Sequence, residues 1–176
     1  MSTEQERDQL WNVSFETYYD SYFEEMVADK LLYRWCLLDD VTKWLVAITA
    51  SGSAVSGWAL WGEVNGGFKI SWAVIAGAAA LLAITHNALG VQQRIKNWED
   101  GKKAFVILRL DLETLRQDMA TFPEFDVESY STKYALLRAK YSELMSRISP
   151  DTLRTKRLEL KIQDSLNEVL SNQIQG

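Results

Sequence analysis

A single cysteine, a single histidine and only two prolines exclude several kinds of protein at once. Cys36 has no partner for an internal disulfide, which excludes a stapled secreted scaffold. One histidine and one cysteine cannot furnish a typical zinc site, so no metal ligand is assigned. Nucleophile elbows, Walker loops, dinucleotide-binding glycine motifs and carboxylate pairs between apolar segments are all missing, so neither catalysis nor a cofactor is expected. No segment alternates with the period of a strand and no long repeat is visible, so the 176 residues are expected to fold as an all-α protein.

What the chain does have is a charge-poor middle. Nineteen residues without a charge separate Lys43 from Glu63, and twenty-four separate Lys69 from Arg94. As a helix, Trp44 to Gly62 reaches roughly 28 Å, close to the hydrocarbon thickness of a bilayer. Ile70 to Gln93 is longer still and would tilt or bring its polar end near the headgroups. Glu63-Val64-Asn65-Gly66-Gly67-Phe68-Lys69 between them reads as a turn, so the expected unit is a two-span helical hairpin. The competing reading is a buried helical hairpin in a soluble interaction protein.

Tryptophans at Trp44, Trp58, Trp61 and Trp72, with Phe68, fall where an interfacial aromatic belt belongs. Lys30, Arg34 and Lys43 precede the hairpin and Arg94, Lys96, Lys102 and Lys103 follow it, whereas the turn carries only Lys69. Both termini are therefore expected on the cytoplasmic side. No signal-peptide pattern precedes the first span, which is expected to act as its own targeting signal. The organisation expected is a cytoplasmic N-terminal helix over 1–40, a transmembrane hairpin over 41–93 and a cytoplasmic helical bundle over 94–176.

In the N-terminal segment Trp11, Phe15, Tyr18, Tyr22 and Met26 recur at three and four, predicting a packed helical face with acidic residues on the remainder. Phe105, Leu108, Leu112, Leu115 and Met119 do the same after the second span, and Pro123 with Asp126 marks a new start. Val127, Tyr130, Tyr134, Leu137, Tyr141, Leu144 and Ile148 keep a three-four spacing through three heptads, fitting either an intramolecular helix pair or a seam between subunits. Ser149-Pro150-Asp151 predicts the start of a last helix with Leu158, Ile162, Leu166 and Val169 on its apolar face.

Thr42, Thr49, Ser53 and Ser56 form a hydroxyl stripe on the first span, beside a small-residue ridge of Ala47, Ala50, Ala54 and Gly57. Tight packing and pore lining both explain such a stripe. His86 and Asn87 are the strongly polar side chains of the second span and sit near its cytoplasmic end, as an interfacial pair or as an inner gate. Candidate pore-lining residues are accordingly Thr49, Ser53, Ser56, His86 and Asn87. Arg94, Lys96, Lys102 and Lys103 suit anionic lipid or topology. Arg138, Lys140, Arg147, Arg154, Lys156 and Arg157 are the candidate contacts for a phosphorylated ligand, in a region too nearly neutral for a nucleic-acid binder.

The order of elements, FETYYDSYFEEM, two apolar stretches joined by EVNGGFK, then FVILRLDLETLRQDM and YALLRAKYSELMSRI, resembles the SLATT domain. The likeness lies in architecture and covers nearly the whole chain. It implies a two-span effector of the bacterial inner membrane that assembles as a homo-oligomeric pore in anti-phage defence. It further implies control by a nucleotide or oligonucleotide from a partner nucleotidyltransferase. The expected function is a gated ion channel that depolarises the membrane; the alternative is a nonconducting membrane anchor or scaffold for a signalling enzyme.

Overall fold

The structure is a computed structural model that describes residues 3–56, 66–148 and 150–175, with the side chains of 51–56, 66–70, 72–73 and 173–175 outside that description. Five helices follow one another: α1 (Thr3–Ser56), α2 (Gly66–Ala88), α3 (Val91–Thr121), α4 (Val127–Arg147) and α5 (Lys156–Gln175). Among the described residues there is no strand, so the all-α class holds. The chain divides into two compact units, residues 32–96 and the remainder.

Helix α1 runs without a break through the point where an N-terminal helix and a first span were expected to be separate elements. The sequence explains this, because no glycine or proline occurs between Thr3 and Ser51 to interrupt the ladder.

In the unit formed by residues 1–31 and 97–176, the expected apolar face of α3 is the core: Phe105, Leu108, Leu112, Leu115 and Met119 are all buried. Val127, Tyr130, Leu137, Tyr141 and Leu144 of α4 pack against that core and Tyr134 is buried in it, so these heptad positions serve an intramolecular seam. Asp126 caps α4 by accepting a hydrogen bond from the Ser129 amide at 3.1 Å. Leu158, Ile162 and Leu166 of α5 are buried.

Two expectations for this unit need correction. The aromatic stripe of α1 is only partly its buried face: Tyr18 is buried and Tyr22 packs against the core, whereas Trp11 and Phe15 are exposed. The buried line runs through Leu10, Ser14, Thr17, Ser21, Glu24, Ala28 and Leu31. Small hydroxyl residues fit there because each is satisfied by its own helix: Ser14 donates to Trp11 O, Thr17 to Val13 O and Ser21 to Thr17 O. The last helix starts at Lys156 rather than beside Pro150. Asp151 is engaged otherwise, accepting from the Trp98 indole at 2.7 Å and from Leu153 N at 2.8 Å, and the Thr155 hydroxyl instead accepts from Leu158 N.

In the unit of residues 32–96, the second apolar stretch is not one helix as far as Gln93. It ends at Ala88, because Gly90 adopts a left-handed φ of 59°. Leu89 N donates to Thr85 O and Gly90 N to Asn87 O, which closes the last turn; Arg94 N to Gly90 O then opens α3. Trp35 and Val91 are fully buried and the Arg94 guanidinium lies 5.1 Å from the Trp35 ring centroid. Among the described residues no single helix is long and apolar enough to cross a membrane; the broken pair Val74–Ala88 and Val91–Thr121 reaches that length and apolarity only when taken together.

Candidate functional site

The most developed polar site of the 32–96 unit is centred on Asp39 of α1, which is only 5% exposed. Three segments converge on its carboxylate. Lys43, one turn along α1, donates to Oδ2 at 2.6 Å. His86 of α2 places Nε2 2.8 Å from Oδ1, and Gln92 of α3 donates to the same oxygen at 2.7 Å. An ionised carboxylate only accepts, so the His86 proton in this contact resides on Nε2. Burial alone would raise the Asp39 pKa, but hydrogen bonds from Lys43, His86 and Gln92 outweigh it and hold the group below its ordinary value. The left-handed turn at Gly90 is what allows His86 and Gln92, from consecutive helices, to reach one carboxylate.

Asp39 also begins the hydroxyl stripe, since Asp39, Thr42, Val46 and Thr49 follow one another at three, four and three. Thr42 is buried and donates to Leu38 O. Thr49 is half-buried and its hydroxyl is held by Leu45 O and Val46 O. With Val46 and Ala50 it meets Ala76, Ala79, Ala80 and Ala83 across a shallow groove of about 300 Å³. The small-residue face of α2 thus lies against α1, as close helix packing requires. Gly77 belongs elsewhere on α2, with open space where a Cβ would sit.

Of the candidate pore-lining residues, Thr49 is placed in the α1–α2 groove, His86 on Asp39, and Asn87 is exposed. The side chains of Ser53 and Ser56 lie outside the described residues, as do Trp58, Trp61, residues 63–65 of the turn and the side chains of Phe68 and Trp72. Trp44 is 71% exposed.

The candidate phosphate contacts do not form one patch of free cations. Arg154 is held by Glu24 through Nη1 to Oε2 at 2.9 Å and Nη2 to Oε1 at 2.8 Å, and its Nε donates to Glu159 at 2.7 Å. Lys140 pairs with Asp111 at 3.3 Å and Arg147 with Glu143. Arg138, Lys156 and Arg157 are exposed, without an ion pair among the described residues. No group of three His, Cys, Asp or Glu side chains suited to a metal occurs among the described residues.

Sequence reasoning missed Asp39. The signal available was its i,i+4 spacing to Lys43 at the edge of a charge-poor run. It also missed Arg116, whose guanidinium stacks 3.9 Å from the Trp11 ring centroid and 4.9 Å from that of Phe15. Comparison of the chain with protein families, with curated proteins and with solved structures gave no match.

Proposed function

We propose that the chain is the subunit of a homo-oligomeric, gated ion channel, with the distal part of α1 and all of α2 inserted in the bacterial inner membrane and both termini cytoplasmic. The observation that carries this reading is the outward-facing apolar surface of the 32–96 unit. Trp44, Leu81 and Ile84 are each about two-thirds exposed or more, and Val41, Ile48, Val74 and Ile75 add to them. A row of large apolar side chains facing outward on two helices needs an apolar surrounding. Helix α2 has 23 residues, about 34 Å, and contains no acidic residue. A pore needs several copies, because two helices cannot enclose a water-filled path. The likeness to the SLATT domain supports a role in anti-phage defence controlled by a nucleotide or oligonucleotide.

A second reading is a nonconducting membrane anchor or scaffold for a signalling enzyme. The placement of Thr49 and His86 favours it, because both polar side chains are engaged within one subunit rather than directed to a shared path. Recording from purified chain in planar bilayers separates the two. Discrete current steps support the channel; a membrane-inserted oligomer that passes no current supports the anchor.

A further inference from the structure

The half-buried arginines of the helical bundle are not equivalent. Arg109 meets Glu25 at 2.6 Å and Glu113 at 3.3 Å, and Arg154 meets Glu24 and Glu159. Arg116 meets no carboxylate among the described residues. Its Nη1 donates to two neutral acceptors, Trp11 O at 2.7 Å and Ser14 Oγ at 3.0 Å. Burial pushes the Arg116 pKa down, whereas carboxylate hydrogen bonds hold Arg109 and Arg154 above the ordinary value in spite of burial.

Arg116 also lines a cleft of about 290 Å³, with Trp11 and Phe15 of α1, Gln117 of α3 and Leu170 of α5. Glu113 lies on the same lining, but its carboxylate pairs with Arg109. Trp11 and Phe15 are 37% and 41% exposed, so part of each ring borders the cleft. A cation that meets no carboxylate among the described residues, stacked on two partly exposed aromatic rings and beside an aliphatic side chain, is complementary to a ligand that is anionic at one end and planar and apolar at the other. The cleft is at the small end of ligand-site volumes and suits one such molecule.

We propose that the cleft around Arg116 binds a small aromatic anion, a planar ring system bearing a phosphate or a carboxylate. The anion pairs with the guanidinium and the ring covers Trp11, Phe15 and Leu170. The inference rests on residues of the 1–31 and 97–176 unit alone and does not depend on whether the protein conducts ions.

The experiment is titration calorimetry on the purified full chain in detergent, with adenosine 5′-monophosphate as the aromatic phosphate and indole-3-acetate as the aromatic carboxylate. Adenosine lacks the charge and inorganic phosphate lacks the ring. Binding of at least one aromatic anion is expected, with at least tenfold weaker binding of the matching control; which one binds identifies the acid group. Arg116→Gln should weaken that binding at least tenfold, and so should Phe15→Leu, which leaves the cation in place and decides the matter if Arg116→Gln fails to fold. Silence of both aromatic anions at millimolar concentration overturns the proposal, as does unchanged affinity in the folded variants.

Discussion

Arg154, in the segment before α5, holds the buried carboxylate of Glu24 on α1 through two hydrogen bonds, at 2.8 and 2.9 Å. Glu24 is only 4% exposed, so removing the guanidinium strands a charge in the interior. Arg154→Ala should destabilise the fold by about 3–5 kcal/mol, seen as a lower denaturation midpoint. The exposed pair change Lys156→Ala/Arg157→Ala should stay within about 0.5 kcal/mol of the parent. A stable Arg154→Ala protein would contradict the structural role given to this arginine.

Asp39 sets an acid limit on stability. Its folded pKa lies below the ordinary value of 3.8, so its contribution is complete at neutral pH and is lost as the pH falls through the folded value. Asp39→Asn should cost about 2 kcal/mol at neutral pH and flatten the decline in melting temperature between about pH 5 and pH 2. Parallel pH profiles for the two proteins would contradict the network.

Tyr141 sets an alkaline limit. Burial, with Asp20 and Glu24 nearby, pushes its pKa up to about 12 from 10.0. The unfolded chain ionises first, so stability should fall as the pH rises from 10 towards 12, and Tyr141→Phe should reduce that fall. Denaturation midpoints at pH 8, 10 and 11 give the comparison.

Two glycines should respond oppositely to alanine. Gly101 lies inside α3 with nothing near the position of a Cβ, so Gly101→Ala should stabilise by about 0.5–1 kcal/mol. Gly90 has equal room but a left-handed backbone, so Gly90→Ala should destabilise by about 1 kcal/mol. Thermal melts of both variants check the signs.

Membrane insertion should depend on the outward face of α2. Leu81→Asp and Ile84→Asp each place a charge where the proposal has lipid, a change of about 3 kcal/mol near a bilayer centre. Both should shift the protein out of the membrane fraction after expression, and normal retention would count against the hairpin.

Much of the fold was legible because it rests on apolar periodicity. Phe105 through Met119 and Leu158 through Leu166 are buried as their spacing predicts. The buried face of α1 was hidden because Ser14, Thr17 and Ser21 look solvent-facing until their hydroxyls bond back to the preceding turn. The early end of α2 came from one backbone conformation at Gly90, which carries no hydropathy signal. Arg116 depends on Trp11 and Ser14, distant in sequence, so no local pattern marks it; for Asp39 the spacing to Lys43 is local, but His86 and Gln92, which complete the site, are not.

Gly90 has a stereochemical consequence as well. Among the described residues it is the sole position with positive φ, and every other one keeps to the right-handed or extended half of backbone space. Among the described residues, a backbone conformation that L side chains rarely adopt is therefore needed at this one point. A chemically synthesised chain carrying a D-amino acid there, whose preferred φ is positive, would satisfy the turn that brings His86 and Gln92 to Asp39 with less backbone freedom to lose than glycine.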